Sequence, residues 1–155
     1  MSKAKPNSPP EATKPSSSLS PADLLLRQGW ASIVVWMAVG LLLEGLLGYK
    51  IPAYLSDPQR RELFRLGHTH GTLLGILLVA AALVLERGVT VPKAAHTALR
   101  IGAVLMPIGF FVAGIWHAEG DPGLAVWLVP LGALLVIYAA VAFALAHFKK
   151  PTAGD

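Results

Sequence analysis

Histidines and one carboxylate set in an apolar run are the side chains of this sequence best suited to chemistry. His68 and His70 stand one residue apart in RRELFRLGHTHGTLLG, residues 60–75. His117 lies in GIWHAEGDPG, residues 114–123, and Glu44 in VGLLLEGLLG, residues 39–48. Imidazole ligates metals and haem iron and carries protons near neutral pH. An ionisable group within a membrane segment is costly and marks a functional hypothesis by default. Residues i and i+2 point about 160° apart on a regular helix. His68 and His70 therefore cannot chelate one ion together unless the helix opens. One is expected to face the bundle centre and the other a neighbour or the headgroups.

The elements that must position these groups are long and apolar. Of 155 residues, 54% are hydrophobic and 14% charged, and the apolar ones fall into four blocks able to cross ~30 Å of hydrocarbon. The reading is an all-α integral membrane protein, a four-helix up-down-up-down bundle with helices at about 24–49, 60–86, 95–117 and 124–148. Residues 1–20 are rich in Pro, Ser and Lys and are expected to be a disordered tail, with a second short tail at 151–155. SPAD at 20–23 has the form of a helix start: a Ser cap, Pro at the first position, an acid in the first turn. Pro107 and Pro130 are expected to kink the third and fourth helices.

Four crossings place both termini on one side. That side carries Lys3, Lys5, Lys14, Arg27, Arg87, Lys93, Arg100, Lys149 and Lys150; the other carries Lys50, Arg60, Arg61 and Arg65. The imbalance puts the termini in the cytoplasm, with the bacterial inner membrane as the expected location. The net charge of +4 then reads as orientation and lipid contact, not nucleic-acid binding. The chain has no cysteine, which excludes disulfides and thiolate metal sites.

This topology brings Glu44, His68, His70 and His117 toward one membrane face. The expected cofactor site joins His70 to His117 and Glu44 across the outer half of the bundle, with His68 as the close alternative. A metal bound without haem would draw on His68, His70, His117 and Glu119, which suit Zn, Cu(II) or Fe. The plainer reading has Glu44 ion-paired with Arg65 or a histidine, and the histidines bonding only between helices. Gly67, Gly71 and Gly75 share one helix face and are expected to be a packing stripe. Phe110 and Met106 are expected in the core, with a cofactor slot as the alternative. His96 and His147 are read as interfacial.

LFRLGHTHGTLLG, within residues 28–78, resembles the second helix of the haem–copper oxidase catalytic subunit. The resemblance places His70, followed by Gly71 and Thr72, at a haem-ligating position. The further helices and histidines of that family have no counterpart here, which excludes a full oxidase. The resemblance implies a small relative keeping a b-type haem or a single transition metal. The sequence is compatible with a redox or respiratory accessory protein, a metal-site protein, a non-catalytic assembly subunit, and a proton- or ion-coupled transporter half acting as a dimer with Glu44 as the carrier; a homo-oligomer is among the expected partners. A nucleophile–base pair, a phosphate loop and a nucleotide motif are all missing from the sequence, so soluble-type enzyme chemistry is not expected of the chain on its own.

Overall fold

The computed structural model describes residues 19–118 and 120–148. The tail expectations and Glu119 lie wholly or mostly outside these residues. Helix α1 spans Pro21–Gly48, a short α2 spans Pro52–Leu55, α3 spans Pro58–Glu86 and α4 spans Lys93–Ile115. A 3-10 turn at Leu124–Trp127 leads into α5, Leu128–Phe148. The described residues form no β-strand. Four helices, counting the 3-10 turn with α5, are long and apolar enough to cross a membrane.

Local chemistry sets the helix ends. The SPAD start forms as expected: Ser20 Oγ accepts the Asp23 N–H at 3.1 Å, and Ser20 N–H donates to the Asp23 carboxylate at 3.2 Å. These reciprocal bonds satisfy two otherwise orphaned donors. At the far end of α1, Ile51 N–H donates to Leu46 O and Lys50 N–H to Leu47 O. This is a Schellman closure, and it puts Lys50 at φ 54° in the left-handed region where glycine is the usual occupant. Asp57 caps α3, its carboxylate accepting the Arg60 N–H at 2.9 Å.

Two sequence expectations are corrected here. α4 stops at Ile115, not at His117: Trp116, at φ −117° and ψ 85°, leaves the helical region, and the Gly-Asp-Pro-Gly turn follows. Pro130 sits in the first turn of α5, because α5 begins only at Leu128. A first-turn proline gives up no helical hydrogen bond and does not break the ladder. Pro107 is inside α4 as expected, and buried.

The spanning helices stand in a row. α1 packs on α3, α3 on α4 and α4 on α5, while α1 touches α4 only lightly. The close contacts use small residues, as membrane helices do. The glycine stripe of α3 divides between two partners. A Cβ on Gly75 would lie 3.1 Å from Gly29 O of α1, and one on Gly67 would lie 3.1 Å from Pro107 O of α4. Gly71 is filled by the Trp36 ring of α1. The contiguous core lies toward the end that holds the α1 N-terminus, around Leu25, Leu74, Leu78, Ala82, Leu99 and Ala139. There Gln28 and Arg100 clamp α1 to α4. Gln28 Nε2 donates to Arg100 O at 2.8 Å and Arg100 Nε donates to Gln28 Oε1 at 2.9 Å. At the opposite, loop end the α1–α3 seam carries a groove.

Candidate functional site

The groove lies between the last turns of α1 and the first turns of α3, with a volume of about 820 Å³. Arg61, Arg65 and His68 line its α3 wall and Glu44 its α1 wall; Glu62, Thr69 and Tyr54 complete the polar lining. Residues 61, 65 and 68 follow the i, i+4, i+7 spacing of one helix face. Met37, Leu41 and Leu47 also line the groove. They are well exposed and continue onto the lipid-facing surface of α1, so the groove opens sideways toward the bilayer as well as toward the loops.

His68 is held by α1. Its ring occupies the notch left by Gly40, where a Cβ would collide with it. Its Nδ1 lies 2.7 Å from Trp36 O. A carbonyl only accepts, so Nδ1 carries the proton and, in the neutral ring, Nε2 is left as an acceptor. His70 also donates from Nδ1, but to Leu66 O one turn back in its own helix, at 2.8 Å. Its ring packs on Phe110 of α4, with centroids 5.1 Å apart. The two imidazoles therefore serve different seams, as the 160° divergence requires. Met106 packs against the core and against Gly132 of α5, and Phe110 is spent on His70.

His117 belongs to a separate cluster. Beyond the end of α4 its ring is almost fully covered, and Nε2 lies 3.0 Å from the Asp57 carboxylate. Its Nδ1 lies 3.3 Å from Ala118 O, and the Asp57 contact is an ion pair when the ring is protonated. Arg60 ties the cluster together: Nε donates to Gly114 O at 3.1 Å, Nη1 to Ala53 O at 3.3 Å, and Nη2 lies 3.5 Å from Asp57. Asp57 is held below the usual carboxylate value. The Arg60 backbone N–H is the largest cause, the His117 and Arg60 charges add to it, and partial desolvation opposes it.

The expected union of His70, His117 and Glu44 does not form. His117 touches Asp57, the cap of α3, which lies 13 positions before His70, or about 20 Å along the axis at 1.5 Å per residue. Two imidazoles so placed do not fit the two faces of one haem. Close α3–α4 contacts at Gly67–Pro107 and Phe64–Gly114 also leave no slot between them. Among the described residues, no three His, Asp or Glu side chains come together as a metal site. Glu44 forms no ion pair with Arg65, which sits 3.5 Å from Glu62 instead. What the structure does bring together is Glu44, His68, Arg61 and Arg65. Sequence reasoning missed Arg61 and Arg65 as site residues, although their spacing to His68 was a readable signal. It also missed Asp57, whose role as partner to His117 depends on how two distant loops meet.

The fold and its apolar surface define an integral membrane protein of four spanning helices. No family model matches the chain, and no solved structure is detectably similar to it. The chain is similar to the phosphatidylglycerol–prolipoprotein diacylglyceryl transferase of Azotobacter vinelandii (strain DJ / ATCC BAA-1303). The two are 35% identical over 109 residues, which cover 61% of this chain and 40% of that protein. The chain thus spans less than half of the relative's length.

Proposed function

We propose that the protein binds a membrane phospholipid, with the headgroup in the α1–α3 groove and an acyl chain along Met37, Leu41 and Leu47. The observation that carries this reading is a groove that joins two arginines to a lipid-facing apolar wall. Guanidinium groups are suited to phosphate oxygens, which they bond in a planar, two-point fashion. Arg61 has no ion-pair partner among the described residues, and the Arg65–Glu62 pair is well exposed, so it holds Arg65 only weakly. The partial similarity to a protein named for a phosphatidylglycerol-using transfer supports a lipid ligand. The protein's role is then lipid binding or presentation within a membrane assembly. A photo-crosslinking amino acid at Met37 tests the reading. It is expected to capture phospholipid in native membranes, and an Arg61→Gln/Arg65→Gln background is expected to reduce capture about tenfold, the equivalent of losing ~1.4 kcal/mol. Equal capture from the lipid-facing position Ile137 of α5 would reduce the groove to ordinary lipid contact.

A second reading keeps the haem or single-metal expectation and its redox or respiratory setting, now centred on His68. An imidazole whose Nδ1–H is anchored to a backbone carbonyl is arranged as metal-ligating histidines often are, with Nε2 left as the free donor atom. Glu44, on the facing wall of the groove, is a candidate for a second donor. Purified protein under this reading shows a Soret band or stoichiometric metal that is lost in His68→Ala. A colourless, metal-free preparation removes it.

A further inference from the structure

The charges in the groove do not match a simple anion. Glu62 and Arg65 lie 3.5 Å apart, so their charges offset in the groove's net charge, although the exposed pair leaves Arg65 able to reach a phosphate. Arg61 and Glu44 remain, one of each sign, and neither has an ion-pair partner among the described residues. A purely anionic headgroup would satisfy Arg61 and be repelled by Glu44. Resting on the lipid-binding reading above, we infer that the groove selects a phospholipid whose headgroup carries a primary ammonium, with its phosphate on Arg61 and its ammonium on Glu44.

Helix register places the two charges suitably. α1 and α3 run antiparallel, and His68 sits against Gly40. Counting from that contact at 1.5 Å per residue, Glu44 lies about 6 Å toward the loop end. On the same count Arg65 lies about 4.5 Å and Arg61 about 10.5 Å in that direction. Glu44 therefore stands across the groove at a level between the two arginines. A zwitterionic headgroup bound there spans the groove obliquely, with phosphate toward α3 and ammonium toward α1, the ammonium about 4.5 Å farther from the loop end on the same count.

Glu44 also sharpens the choice among ammonium groups. A primary ammonium has three N–H donors and can bond the carboxylate directly. A trimethylated ammonium has no N–H and meets the carboxylate by charge alone. A glycerol headgroup can donate to the carboxylate but brings no positive charge to it. An unpaired carboxylate in a membrane segment is expensive, so the cation is the stronger discriminator.

The test is competition for the full-length protein in nanodiscs, followed by native mass spectrometry of retained lipid. Phosphatidylethanolamine, phosphatidylcholine and phosphatidylglycerol are presented in equal amounts. The expected result is phosphatidylethanolamine retained at least fivefold over either competitor. Glu44→Gln should reduce that preference to within twofold while total retention stays dependent on Arg61 and Arg65. Equal or greater retention of phosphatidylglycerol, unchanged in Glu44→Gln, overturns the ammonium assignment but leaves the lipid groove standing. Retention that is indifferent to Arg61→Gln/Arg65→Gln overturns the groove itself. Circular dichroism and a monodisperse elution profile establish that each variant is folded.

Discussion

His68 and His70 look equivalent in sequence but differ in what they bond. His68 joins two helices, whereas His70 bonds within its own. An interhelical hydrogen bond in a membrane protein contributes about 0.6 kcal/mol on average and up to about 1.7. His68→Ala is expected to lower resistance to detergent-induced unfolding by that amount, and His70→Ala to lower it through lost packing on Phe110 without loosening the α1–α3 seam. A disulfide or spin-label ruler between α1 and α3 separates the two outcomes. Asp57 gives a prediction in pH. Its carboxylate is depressed in the folded protein, so the stability it contributes is fully present above the ordinary carboxylate range near ~3.9 and is lost as pH falls through the lowered value. Asn is also a good cap, so Asp57→Asn should keep α3 capped and flatten the acid limb of the stability profile. An unchanged acid limb would show that Asp57 is not the group responsible.

Glycines on the helices divide according to what each meets. Gly75 meets the backbone of Gly29 across the α1–α3 seam, and Gly45 meets nothing within 4 Å. Gly75→Ala should therefore destabilise by about 1–3 kcal/mol through overpacking, whereas Gly45→Ala should stabilise by up to about 1 kcal/mol through helix propensity. At the α1 terminus, Lys50→Gly relieves a left-handed lysine and should stabilise by roughly 1 kcal/mol. Thermal unfolding in detergent, ranking these three variants against the parent, checks the set. At this scale local signals were legible. Ser20, Pro21 and Asp23 announced the start of α1, and the glycine spacing announced a packing face. The division of that face was not legible, because a helix lying between two others presents adjacent sectors to each, and the sequence carries no mark of which neighbour stands where. The end of α4 was misplaced by two residues: His117 directly follows the apolar run, whereas the chain leaves the helix at Trp116, and Asp57, which contacts His117, and Arg60, which bonds Gly114 O, come from another segment.

Across the whole molecule, four apolar spans were plain from composition, because hydrocarbon thickness fixes their length. Their arrangement as a row, with an open polar groove at the α1–α3 seam, was not, since lipid-facing and helix-facing apolar residues have the same composition. The distribution of basic residues predicts cytoplasmic termini. Fusion of a reporter active only in the cytoplasm to the C-terminus should give signal, and a periplasm-active reporter should not. On the proposed lipid-binding reading, that orientation would turn the α1–α3 groove to the outer leaflet, the source of its phospholipid. The central claim is that Arg61 and Arg65 hold a phospholipid in this groove. Native mass spectrometry of protein delipidated in mild detergent measures this most directly. The account predicts one tightly held phospholipid per chain in the parent and none in Arg61→Gln/Arg65→Gln. The same number of retained lipids in both proteins would contradict it.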